Sequence, residues 1–299
     1  MKDDRKRKYT QINMPYYLGF EYSKNLEGLM LKNIGKIRYG LIAAGGSAQR
    51  FGSYSLTLPK EMLPIGGIPV IEYSIRECLN AGVTRIIIVT RSNNTVIKQH
   101  LQVSDEFKES IVEEFTDKPT VQINIIPEDS RLKYGNAAPL LTVRQLLINQ
   151  TFYVLFADDV IFGKNALEEL EQMHNKMKKK LVSIVGFQEV PISEVHNYGN
   201  IEVNEQNEII KLRQKPHENI ISNKVVVSRL LLNGNIYKYI REENGKELDL
   251  GEALKRKLTS NRNEVYACHL SGTWACVDTP EKYLEAQKIF MCMNGKINY

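Results

Sequence analysis

Four short apolar runs, Tyr39–Ala44, Arg85–Thr90, Thr120–Ile126 and Phe152–Phe156, punctuate the first half of the chain. Each is too short for a buried helix and is bounded by polar or turn residues, so each predicts a buried strand. Between them the apolar positions take a helical period. Val70, Ile71, Ile75, Cys78 and Leu79 predict a helix over Pro69–Ala81 that stops at Gly82. Thr95–Leu101 and Ala137–Leu147 predict two more. Short strands that alternate with helices imply a parallel sheet covered on both faces.

After Lys180 the texture changes. Leu181–Phe187, Gly199–Val203, Ile209–Arg213 and Val225–Leu231 are strand-like with few helices between them, while Leu250–Leu258 and Thr279–Phe290 return to a helical period. The second half therefore predicts a mixed extension of the first sheet, with room for a second substrate. Residues 1–36 are rich in Tyr and Lys and carry no period, so they are set apart as an N-terminal extension, either a poorly ordered leader or a docking arm. No internal repeat is present.

Composition narrows the function classes. The chain has 299 residues, 42% hydrophobic and 25% charged, the balance of a globular protein with a sizeable core. No apolar run is long enough to span a bilayer, and the basic start Met1–Lys8 is not followed by the apolar stretch of a signal peptide. The expectation is a cytoplasmic protein with no membrane partner. Cys78, Cys268, Cys276 and Cys292 have neither a CxxC nor a Cys/His spacing and are read as reduced thiols. The net charge of +5 suits a protein that handles polyphosphates. No basic stripe interleaved with aromatics is present, and the lysines of 176–180 close a predicted helix, so no nucleic-acid partner is expected.

The chemistry concentrates after the first strand. Ala43-Ala44-Gly45-Gly46-Ser47 is a glycine-rich turn at a strand end, a place where backbone N–H groups form an anion cradle. Arg50 and Lys60 bring two cations to the same loop, which a triphosphate requires before a second phosphate can approach it.

With Leu58-Pro-Lys60-Glu-Met-Leu-Pro-Ile65, this segment resembles the signature of the sugar-1-phosphate nucleotidyltransferases, and Pro59–Pro64 is similar to the uridylyl subgroup. The resemblance continues through Ile68–Tyr73, Ala81–Thr90, Tyr134–Ala137, Leu155–Val160, Gly186–Pro191, Tyr198-Gly199 and Gln214–Pro216, and ends in Trp274–Ala286. It implies a Rossmann-like three-layer α/β fold with a mixed, mainly parallel central sheet and a C-terminal sugar-binding extension. In domain terms it implies a nucleotidyltransferase domain over 37–290, with a nucleotide-binding half (37–180), a sugar-binding half (181–290) and a tail over 291–299.

The resemblance further implies that a sugar phosphate oxygen attacks the α-phosphorus of an NTP and pyrophosphate leaves. UTP and glucose 1-phosphate are the expected pair, and Mg²⁺ the expected cofactor. Arg50 and Lys60 would neutralise the triphosphate, and Asp158 would hold the metal. Ala44, Gly45, Gly46, Glu61, Glu128 and Gly135 would line the nucleotide; Gly199, Gln214 and Lys215 would take the sugar phosphate. A homo-oligomer is expected.

Four positions depart from the family pattern. Where a second metal aspartate belongs, the chain reads Trp274-Ala-Cys276-Val-Asp278, and thiol sulfur is a poor Mg²⁺ ligand. Asp278, two residues on and on the same face if the strand continues, is the expected replacement; otherwise Asp158 suffices with phosphate oxygens and water. A sugar-binding Glu is replaced by Gln214, and a Gly-x-Tyr pattern by Ser228-Arg229-Leu230. A Gln that reads the pyrimidine falls on Glu128, whose ionised form offers only acceptors and suits guanine better than uracil. These departures leave two alternatives standing: a catalytically weakened homologue that binds nucleotide as a regulator, and nucleotidyl transfer to a non-sugar phosphate. The histidines form no ligand spacing.

Overall fold

The computed structural model describes residues 37–46, 50–52, 58–91, 95–103, 121–177, 181–260 and 264–293. The N-terminal extension over 1–36, Ser47 of the glycine-rich turn and the last residues of the tail lie outside them.

Among the described residues the main sheet has nine strands. Its parallel centre is built from β1 (Tyr39–Ala44), β4 (Arg85–Thr90), β5 (Gln122–Pro127) and β6 (Thr151–Phe156), with β1 between β4 and β6. Side chains alternate along β1, so that Ile42 enters one core cluster and Leu41 the other. The first cluster is covered by α1 (Val70–Asn80), α2 (Thr95–Val103) and α5 (Ala166–Met177). The second is covered by α3 (Ala138–Thr142), α4 (Arg144–Leu147) and α6 (Leu250–Ser260). Helices on both faces of a mainly parallel sheet are the three-layer arrangement expected from the sequence.

The later strands continue the same sheet. β11 (Lys224–Asn233) runs antiparallel to β6, with Leu230 opposite Val154. It also pairs with β8 (Ser183–Glu189) and β9 (Gly199–Val203); β12 (Val265–His269) runs parallel to β8, and β10 (Ile209–Gln214) lies beyond β9. A third, smaller core gathers Phe51, Ile65, Val160, Phe162, Val277 and Ala286. It joins the hairpin of β2 (Pro64–Ile65) and β3 (Ile68–Pro69), the ribbon of β7 (Asp159–Phe162) and β13 (Thr273–Cys276), and α7 (Pro280–Met293).

Several elements differ from the sequence expectation. The helix over 137–147 is two pieces: the Thr142 hydroxyl turns back to the Ala138 carbonyl (3.0 Å) while accepting from Asp129 N (3.1 Å), and Val143 leaves helical geometry. β7, β12 and β13 lie outside the apolar pattern because they are short and carry polar or aromatic residues. The strand holding Cys276 ends there, so Asp278 stands in a bend and not one strand period further along the same face.

Candidate active site

β6 and β4 leave β1 on opposite sides, so the chain reverses direction across the sheet between β1 and β6. Loops at the carboxyl ends of such strands part and leave a crevice, the usual binding place in open α/β sheets. The sequence delivers the candidate residues there. Gly45 and Gly46 follow β1, Glu128 follows β5, and Asp158 follows β6.

Lys60 and Glu61 lie beside the glycine turn. Lys60 and Glu61 are buried in a single 3₁₀ turn (Lys60–Met62), and a Cβ placed on Gly46 would come within 3.3 Å of Lys60 Cε and 3.6 Å of Glu61 Oε1. Lys60 Nζ donates to Asp158 Oδ2. Burial acts to lower the Lys60 pKa, but the Asp158 carboxylate, with Glu61 beside it, outweighs burial and raises it. Lys60 is therefore a fixed cation.

Glu61 feels the reverse balance. Burial raises its carboxyl to about 7 against the pull of Lys60. Between the ordinary value of 4.5 and about 7 the folded chain keeps a proton that the unfolded chain releases, so stability falls as pH rises through that window and stays low above it. Glu61→Gln removes the burden, which is at most about 3 kcal/mol. The variant is expected to melt several degrees above the parent at about pH 8 and level with it near pH 4, as thermal melts at both values would show.

A second ionic cluster faces the first. Arg50 Nη1 lies 2.7 Å from Asp278 Oδ2, and Lys282 Nζ lies 3.4 Å from Asp278 Oδ1. Asp278 Oδ1 is buried with no hydrogen-bond partner among the described residues. Val277 N donates to the Asp158 carbonyl at 2.6 Å and Cys276 pairs with Asp159 across β13 and β7, so the two clusters share one frame. Burial, then Asp159, Asp158 and Asp278, hold the Cys276 thiol far above its ordinary pKa. It remains a neutral thiol, unsuited to a hard dication.

The residues at the replaced Gly-x-Tyr positions brace this frame. Ser228 donates its hydroxyl to Asp159 Oδ2. Arg229 is fully buried, with Nε on Glu77 at 2.8 Å and Nη2 on the Asp159 carbonyl at 2.9 Å.

The third group lies on β9, β10 and α6. Gln214 Oε1 would stand 3.3 Å from a Cβ on Gly199, and Gln214 Nε2 donates to Asp249 Oδ1 at 3.2 Å. Gln214 can lean there only because residue 251 is glycine, since a Cβ would fall 1.1 Å from Nε2. Lys215 is exposed, has φ of 42°, and donates its backbone N to the Tyr198 carbonyl at 3.0 Å. On the nucleotide side, Gly135 (φ 150°) lies against Leu248, whose carbonyl would be 2.1 Å from a Cβ. Glu128 Oε2 is 3.3 Å from the Cβ position of Gly45, and burial raises its pKa against the pull of Arg91.

The fold thus gathers Arg50, Lys60, Glu61, Asp158 and Asp278 around the glycine turn, sets Glu128 beside Gly45, and groups Gly199, Gln214 and Lys215 on the adjoining strands. Sequence spacing gave no sign of Glu77–Arg229, Asp249 or Lys282, because their partners are remote in the chain or carry no motif. His196 and His217, which no spacing linked, come within 6.0 Å of each other.

Among the described residues, no three His, Cys, Asp or Glu side chains form a metal-binding set. A Mg²⁺ ion held mainly by phosphate oxygens and water needs only one or two carboxylates. Asp158 and Asp278, whose Oδ1 accepts no hydrogen bond among the described residues, provide hard oxygen, and that donor set fits such an ion.

A family model described as nucleotidyl transferase matches residues 39–291. A UTP–glucose-1-phosphate uridylyltransferase of Staphylococcus epidermidis is 29% identical over 253 residues, 79% of this chain and 86% of the relative. The Staphylococcus haemolyticus enzyme of the same name is 29% identical over 252 residues, with the same coverage of 79% and 86%. A solved UDP-glucose pyrophosphorylase in complex with UDP-glucose superposes with a TM-score of 0.75 at 26% identity, covering 86% of this chain and 99% of the other. A UTP-bound enzyme from Acinetobacter baumannii, at 23% identity and a TM-score of 0.72 over 86% of this chain and 94% of its own, shares the fold. Among the described residues, no helix is long and apolar enough to cross a membrane.

Proposed function

The chain belongs to the nucleotidyl transferase family, and from that premise we propose that it transfers the nucleoside monophosphate of UTP to glucose 1-phosphate, giving UDP-glucose and pyrophosphate. The observation that carries the reading is the pairing of two cations with two carboxylates around the glycine turn: Lys60 with Asp158, and Arg50 with Asp278. Relatives named for this reaction support the choice of substrates.

The residues have separable tasks. Lys60, fixed and buried, meets the charge that develops as the bond to pyrophosphate breaks. Arg50 is exposed, and an exposed ion pair is worth little, so it exchanges Asp278 for triphosphate oxygens at small cost. Ala44, Gly45 and Gly46 offer the backbone cradle, and Gly135 the opposite wall. Lys215 holds the phosphate of the sugar substrate, with Gly199 and Gln214 against the sugar. Asp158 and Asp278 would hold Mg²⁺, which when bound neutralises phosphate charge and orients the oxygens. Asp278→Ala is expected to raise the Mg²⁺ concentration for half-maximal rate about tenfold; an unchanged Mg²⁺ dependence would leave Asp158 as the metal carboxylate alone.

Glu128 bears on the base. Burial raises its pKa against the pull of Arg91, and only in its protonated form does it offer the donor and acceptor together that the uracil carbonyl and N–H require. Pyrophosphate release measured with each NTP crossed against a panel of sugar 1-phosphates tests the reading. The highest kcat/KM is expected for UTP with glucose 1-phosphate. A clear preference for GTP or CTP would reject uracil recognition, and turnover only with a phosphorylated alcohol would reject the sugar. Cys276 favours one further reading, a nucleotide-binding regulator, which would show saturable UTP binding without turnover.

The soluble partners are then small molecules. A homo-oligomer and a cytoplasmic location belong to this proposal as well, on the family resemblance alone.

A further inference from the structure

Lys282 belongs to no motif in the sequence, yet the fold brings its ammonium into the site. It sits in the first turn of α7, where the helix dipole disfavours a cation. Its Nζ donates to the Tyr198 hydroxyl at 2.6 Å, lies 3.4 Å from Asp278 Oδ1, and stands 4.7 Å from the centroid of the Tyr198 ring. Both partners lead elsewhere in the site. Asp278 also holds Arg50, on the triphosphate side. The Tyr198 carbonyl accepts from Lys215 N, and Tyr198 precedes Gly199, on the sugar-phosphate side. Lys282 therefore stands at the seam between the two substrates.

Charge balance says what it is for. Two cations share the one Asp278 carboxylate, Arg50 at 2.7 Å and Lys282 at 3.4 Å, and Arg50 is the one that turns to the triphosphate. A second cation on the same carboxylate leaves a positive charge in excess, half-buried and beside a hydroxyl. An ammonium has three N–H donors, and Tyr198 takes one. A phosphate monoester, with up to two negative charges and three free oxygens, is the ligand this arrangement fits.

On the strength of the transfer reaction proposed above, we propose that Lys282 binds the phosphate group of the attacking substrate and holds it in line with the nucleotide, as a substrate-binding residue additional to Lys215.

The test is steady-state pyrophosphate release by Lys282→Ala, Lys282→Met and Lys282→Arg, varying UTP and glucose 1-phosphate separately. The KM for glucose 1-phosphate is expected to rise tenfold or more in the alanine and methionine variants, with the KM for UTP within twofold and much of the loss recovered by arginine. Unchanged constants, or an equal rise in both KM values, would overturn the proposal. Melting curves check folding, and the arginine variant preserves the comparison should alanine unfold the chain. A wild-type protein silent with every substrate pair would refute the transfer reaction itself. Lys282 would then be judged by calorimetric titration with inorganic phosphate: affinity at least tenfold weaker in Lys282→Ala sustains phosphate binding, and equal affinity or no binding to either protein rejects it.

Discussion

Lys60→Ala is expected to lower kcat for pyrophosphate release about 10²–10³-fold, the usual loss when one preorganised group facing developing charge is removed. The expectation follows from how Lys60 is held. Its side chain is 7% exposed, its tip is fixed on Asp158, and its positive charge is secured by that carboxylate against burial. A cation so placed does not reorganise when the leaving pyrophosphate gains charge. The loss should fall on kcat more than on the KM for UTP, because ground-state triphosphate retains Arg50 and the glycine turn. Lys60→Arg should recover little, since the wider guanidinium does not fit between Gly46 and Asp158. Steady-state kinetics on both variants, beside melting curves, check this. A kcat within threefold of wild type in a folded Lys60→Ala would remove Lys60 from the chemistry.

The largest effect on stability is expected at Arg229. Its guanidinium has no exposed surface and its main partner, Glu77, is 8% exposed. Removing one member of a buried pair leaves the other charge uncompensated and costs about 3–5 kcal/mol. For a chain of this size Arg229→Met should lower Tm by about 5–8 °C. Glu77 already has its pKa raised by burial, against the pull of Arg229. Without Arg229 it rises further, so the folded variant keeps a proton that its unfolded chain releases. The deficit should therefore shrink as pH falls toward the ordinary glutamate range and widen above it. A Glu77→Gln/Arg229→Met double variant should recover a good part of the loss at neutral pH. Activity should drop with the single variant too, because Arg229 also holds the Asp159 carbonyl next to Asp158. Thermal melts across pH, with equal deficits at every value, would contradict the buried-charge account.

These two residues show what the sequence could and could not disclose. Lys60, Arg50 and Asp158 were legible because strand end, glycine turn and cations follow one another within a short stretch, and Asp158 closes an apolar strand. Both faces of β1 were legible as buried because its apolar run is unbroken. Arg229 and Glu77 are separated by 152 positions, and only the fold, which places α1 and β11 in one core cluster, brings them together. Ser228 and Arg229 stand where the family places sugar contacts, yet they brace Asp159. The break at Val143 was hidden because Thr142 bonds Asp129 across a loop. Asp278 was expected at the metal from the family pattern, whereas its engagement by Arg50 and Lys282 depends on the bend after β13.

The central claim is the formation of a sugar nucleotide, and identifying the products tests it most directly. Protein incubated with UTP, glucose 1-phosphate and Mg²⁺ should yield UDP-glucose and pyrophosphate in equal amounts by mass spectrometry and phosphorus NMR, and the yield should collapse with Arg50→Ala. UTP bound but unconverted, or split to UMP and pyrophosphate without a sugar nucleotide, would contradict it.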